Sequence, residues 1–227
     1  MRKEIPALLI SAVVLWTSPC ESRAASIYYD RALWESAVDV FWDVDLAGAP
    51  NNLTAGDTLG VEAPIQLPPL FNKTLSFDSP LEVEYGTVED GIGWHNYIAP
   101  GGGDPPLVLY ATGPLTGTLS DGGFGLRKFG FEVKPVDEDS KITVSLSLDD
   151  GTTWFQSESF QASASGAPTF FGWVNEGYGI TTFKVSREDA DGRFAIGNFV
   201  VPEGATTLEL MGLVLLALAA MRGRASL

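Results

Sequence analysis

Along most of its interior the chain alternates between apolar and polar positions. Ile142, Val144, Leu146 and Leu148 are separated by Thr143, Ser145 and Ser147, and Phe129, Phe131 and Val133 by Gly130 and Glu132. A period of two puts each set on its own face of a strand, and one apolar face is what an antiparallel sheet lays over a core. Short runs of this kind predict strands at 40–46, 81–85, 107–111, 116–120, 125–133, 141–149, 153–161, 169–174, 180–186 and 193–201. One short helix is predicted over Arg31–Val38, with Asp30 as its N-cap and Leu33, Trp34 and Ala37 on one face. Asn51–Asn72 is rich in proline, glycine and small residues and is expected to be irregular, and Gly101-Gly102-Gly103-Asp104-Pro105-Pro106 reads as a loop. Many strands with no long helix between them predict an all-β fold, an antiparallel β-sandwich or jelly roll with one short N-terminal helix.

The two ends break the pattern. Arg2 and Lys3 precede the apolar run Ala7–Trp16, and small residues follow at Ser22, Ala24, Ala25 and Ser26. This reads as an export signal over residues 1–25, cut by signal peptidase after Ala24 or Ala25. Cys20 opens a lipoprotein alternative, which Pro19 immediately before it fits poorly. At the other end Val201, Pro202, Glu203 and Gly204 lead into an apolar segment, 205–221, with Arg222 and Arg224 behind it. Nearly every residue from Leu210 to Ala220 is apolar, leaving no polar stripe to face water. The segment is therefore expected to be a transmembrane helix rather than a buried helix of the domain. The two arginines would then keep the C-terminus inside and residues 26–200 outside.

A signal at one end, with a Val-Pro-Glu turn, a glycine-containing hydrophobic helix and a basic tip at the other, resembles the PEP-CTERM exported proteins. The tail departs from that pattern at Gly204, where the family has a second proline, and at Glu209 within the apolar stretch. The interior resembles a β-sandwich module carried by such proteins, in Tyr28-Tyr29-Asp30-Arg31-Ala32-Leu33-Trp34, in Phe129-Gly130-Phe131-Glu132-Val133, in Phe170-Phe171-Gly172-Trp173-Val174 with Ile180–Val185, and in Ala195-Ile196-Gly197-Asn198-Phe199. The resemblance implies a surface or extracellular-matrix protein of a Gram-negative bacterium. Its tail would be held in the inner membrane and processed by an exosortase-type protease around Val201–Gly204, and its partner would be exopolysaccharide.

Charge sharpens this. The chain has 227 residues and a formal net charge of −15, with 25 acidic against 9 basic side chains between residues 25 and 200. That excess argues against a nucleic-acid partner, which needs clustered Lys and Arg. One cysteine and one histidine exclude a disulfide framework and a multi-histidine metal site. The longest acidic run, Asp137-Glu138-Asp139, reads as a solvated turn.

Among candidate chemistry, Ser147, Asp149, Gly151, Thr153 and Trp154 have the spacing of an Asp-box, a structural hairpin. In it an Asp accepts backbone N–H groups, a Gly supplies the turn and a Trp packs the hairpin onto the sheet. Calcium ligands could come from Asp189, Asp191 and Asn198, or from Asp149 and Asp150, although neither set completes a binding loop. Trp94, Tyr97 and Tyr110 are candidates for a sugar-stacking platform. His95 is the only histidine, and no nucleophile-elbow motif accompanies it. Glycoside hydrolysis needs two carboxylates about 5–10 Å apart, and nothing in the sequence singles out a pair. The expected role is non-catalytic, with a secreted carbohydrate-binding module or a glycan-active enzyme as the alternative.

Overall fold

The computed structural model describes residues 24–38, 40–67, 72–86, 106–121 and 125–202. Their elements in chain order are β1 (Ser26–Tyr28), α1 (Arg31–Val38), β2 (Phe41–Asp43), β3 (Thr58–Leu59), β4 (Ile65–Leu67), β5 (Lys73–Phe77), β6 (Leu81–Tyr85) and β7 (Leu107–Thr112). They continue as β8 (Leu115–Asp121), β9 (Lys128–Pro135), β10 (Ser140–Ser147), β11 (Trp154–Ala162), β12 (Thr169–Val174), β13 (Thr182–Arg187) and β14 (Arg193–Pro202). The strands form two antiparallel sheets. The first runs β1-β12-β9-β14-β7-β6-β3, with β2 also paired to β14, and the second runs β11-β10-β13-β8-β5-β4. The fold is an all-β sandwich with one short helix. All but Ala24 and Ala25 of the expected signal segment, and all of the segment 205–221 expected to be a transmembrane helix, lie outside the described residues, among which no helix is long and apolar enough to cross a membrane.

Alternation explains the core. Phe129, Phe131 and Val133 of β9, Phe171 and Trp173 of β12, and Phe194, Ile196, Phe199 and Val201 of β14 face inward from the first sheet. Ile142, Val144 and Leu146 of β10, Phe183 and Val185 of β13, and Leu75 and Phe77 of β5 meet them from the second. Each large apolar side chain removed from water in this way contributes about 1.5–3 kcal/mol.

Several boundaries differ from the sequence expectation. The stretch expected to be irregular contains β3 and β4, and β5 follows it directly. Ile65, Leu67, Leu75 and Phe77 alternate inward there, but Pro64, Pro68 and Pro69 cut the run into pieces too short to read as strands. Pairing of β9 starts at Lys128, Leu126 making only an isolated bridge to Ile180, and the strand expected over 40–46 shortens to Phe41–Asp43. In β10 the register shifts between Leu146 and Ser147, Ser147 is buried rather than facing out, and the strand ends at Ser147 instead of at residue 149.

The helix begins where expected. An oxygen of the Asp30 carboxylate accepts the Leu33 N–H at 3.1 Å. Its buried face is different: Trp34 and Val38 are buried, whereas Leu33 is 64% exposed. The reason lies under it. Gly130 and Gly172 stand opposite each other on β9 and β12. A Cβ on Gly172 would lie 2.7 Å from the Trp34 ring, and one on Gly130 would lie 2.5 Å from Phe170. The missing side chains form a hollow on the outer face of the first sheet. Trp34 fills it, joined by Val38, Phe170 and Val200, and donates its indole N–H to the Trp173 carbonyl at 3.1 Å.

Candidate functional site

The Asp-box residues do assemble into one turn, between β10 and β11. The Ser147 hydroxyl donates to the Asp149 carboxylate at 2.7 Å and accepts the N–H groups of Asp149 at 3.2 Å and Gly151 at 3.0 Å. Asp149 also accepts the Thr153 N–H at 2.7 Å. The Ser147 hydroxyl, and then the Thr153 N–H, hold the Asp149 carboxyl below the usual carboxylate range. Asp150 and Gly151 take left-handed backbone angles, φ 54° and 81°, a shape that glycine adopts freely. Trp154, the first residue of β11, lies against Gly151 and remains 37% exposed. Every oxygen-bearing side chain of the motif is engaged in holding the loop.

Two of the candidate calcium ligands are already engaged by side chains of the fold. Asp189 receives the Arg187 guanidinium at 2.9 Å and the Ser140 hydroxyl at 3.1 Å. Asn198 sits on a bulge of β14 with φ 47° and donates to Glu132 at 2.7 Å. Among the described residues no three His, Cys, Asp or Glu side chains are grouped to hold a metal ion.

Tyr110 is the one proposed stacking residue that lies within the described residues; Trp94, Tyr97 and His95 lie outside them. It is not an open platform. Only 7% exposed, it packs on the outer face of the first sheet with Val108 and Ala195, and the Arg193 guanidinium lies over its ring at 5.4 Å. Register explains the arrangement. Glu82 pairs with Tyr110 and Arg193 with Thr112, so the arginine reaches diagonally across the tyrosine to meet Glu82 at 3.3 Å. Both ends of this bridge are exposed, Glu82 at 68% and Arg193 at 45% of their side chains. Beside it is a cleft of about 240 Å³ walled by Pro80, Leu81, Glu82, Tyr110, Pro114 and Arg193. Glu82 and Arg193 are 111 residues apart and were not recognised from the sequence. The only available signal was the alternation in Leu81-Glu82-Val83-Glu84-Tyr85, which puts both glutamates on the outer face.

The ends of the described fold meet the expected processing regions. Ala24 is exposed, whereas Ala25 is 5% exposed and exchanges two hydrogen bonds with the Gln156 amide, at 2.8 and 3.1 Å. Val201 and Pro202 are the end of β14. Val201 is fully buried, and the two pair with Trp42 and Phe41 of β2. Glu203, Gly204, Arg222 and Arg224 lie outside the described residues.

No known family's profile matches the chain, and no curated protein is similar to it. Several solved structures are similar in part, three of them as follows. TmCBM61, solved with β-1,4-galactotriose, is 16% identical over 58% of this chain and 88% of its own, with a TM-score of 0.31. The CBM22-1 xylan-binding domain of Paenibacillus barcinonensis Xyn10C is 17% identical over 65% of this chain and 96% of its own, with a TM-score of 0.32. A family 11 carbohydrate-binding module from Clostridium thermocellum, solved with a mixed-linked tetrasaccharide, is 10% identical over 60% and 91%, with a TM-score of 0.27.

Proposed function

We propose that this chain is an exported, non-catalytic surface protein of the PEP-CTERM type, a β-sandwich held at the inner membrane by its C-terminal segment. The observation that carries the reading is the order of segments along the chain. The apolar run Ala7–Trp16 comes before β1 in the sequence and Ala205–Met221 comes after β14, with the two sheets built from the residues between them. Signal peptidase removes the first segment, the second anchors the chain, and an exosortase-type protease acts next to the end of β14. Asp149 and Asp189, each weighed as a calcium ligand, are taken up by neighbouring groups of the fold, the Thr153 N–H and the Arg187 guanidinium, which favours a holding role over a chemical one. Deleting Ala205–Leu227 is expected to move the protein to the soluble fraction. Unchanged membrane retention would overturn the anchor.

A second reading, a carbohydrate-binding module, is favoured by the cleft beside Glu82 and Arg193. Sugar sites pair apolar walls with a few placed polar groups, and this cleft has both. Polysaccharide pull-down with the full chain tests it, and release of sugar product would instead mark an enzyme.

A further inference from the structure

We propose that the cleft beside the Glu82–Arg193 bridge binds a single uncharged sugar ring, a terminal or side-branch residue of a neutral polysaccharide. This rests on the carbohydrate-binding reading above. At about 240 Å³ the cleft falls below the ~300–1,000 Å³ of drug-sized ligand sites, which leaves room for one ring and not for a run of them. Pro80 and Pro114, both exposed at the rim, offer an apolar wall to the C–H face of a pyranose. Glu82 and Arg193, 3.3 Å apart, set an acceptor beside a donor fork. Neighbouring hydroxyls of one ring match that arrangement, the first donating to the carboxylate and the second accepting from the guanidinium. Both are charge-assisted bonds.

Tyr110 has a different part from the one its residue type suggested. Its face is taken by Arg193, so it holds the guanidinium in position. Charge sets the class of sugar. Glu84 is exposed on the same face of β6 as Glu82, so the two carboxylates outnumber the one arginine and disfavour a uronic acid.

The test uses the full chain in detergent, with methyl hexosides, neutral oligosaccharides of two to four hexoses, and glucuronate, read by calorimetry and saturation-transfer NMR. Methyl hexosides are expected to bind with a Kd on the order of 1 mM, with longer neutral oligomers within about threefold and glucuronate not bound. Arg193→Ala and Glu82→Gln are each expected to weaken binding about tenfold. Neutral-sugar binding that survives both variants, or affinity that climbs with each added ring, overturns the cleft while leaving carbohydrate binding standing. If neither these sugars nor polysaccharides in pull-down bind the full chain, the carbohydrate reading falls, and the cleft proposal with it.

Discussion

Phe183 on β13 stands directly across from Gly117 on β8, and its ring occupies the space that a side chain at 117 would need. Relieved of a neighbour there, the ring stacks on Phe131 at 5.1 Å and meets Phe77 edge-on at 6.4 Å, linking the second sheet to the first. Gly117→Ala is expected to push the ring off this seat and lower unfolding stability by about 1–3 kcal/mol. The urea midpoint measures it, and a wild-type midpoint would show that Phe183 has room to move.

The hollow over Gly130 and Gly172 makes a matching prediction on the outer face. Trp34→Ala leaves it empty and removes the donor to the Trp173 carbonyl, at an expected cost of about 3–5 kcal/mol. Leu33→Ala, one residue earlier on the exposed side of the helix, is expected to change stability by less than about 0.5 kcal/mol. Equal effects would mean that the helix is not seated through Trp34.

Asp149 makes acid stability testable. Its carboxyl is depressed in the fold, so its contribution is complete above the unfolded value near 3.9 and fades as pH falls through the lower folded value. Asp149→Asn is expected to lower the thermal midpoint at neutral pH, with the gap to wild type closing in strong acid. A gap that is the same at both ends would assign the loss to the turn's shape and not to its charge.

The hydrogen bonds of Ala25 separate the two cleavage points expected from the sequence. Cleavage after Ala24 keeps the two hydrogen bonds to Gln156, whereas cleavage after Ala25 discards a buried residue. If the proposed signal is removed, N-terminal sequencing of the product is expected to begin at Ala25, and a start at Ser26 would contradict it.

What could be read beforehand followed from local rules. The Asp30 cap and the Ser147–Trp154 turn are short-range hydrogen-bond chemistry, and they formed where the residues lie. The alternating strands were legible for the same reason, since period two needs no knowledge of partners. The buried side of α1 was not, because Trp34 and Val38 are chosen by a hollow made of two glycines about a hundred or more residues downstream. The three short strands from Thr58 to Phe77 were hidden by prolines that interrupt the run without preventing pairing. The cleft was least visible of all, since Glu82 and Arg193 meet only through the register of β6, β7 and β14.

The placement of β14 has a mechanical consequence. This strand is paired with β9 along one side and with β7 and then β2 along the other. A pull along its axis through the residues after Pro202 must shear rows of hydrogen bonds together, where an edge strand could be peeled one bond at a time. Forced unfolding is governed by the rate of crossing that barrier and not by equilibrium stability. A sandwich pulled through this strand would yield last at the point of pull.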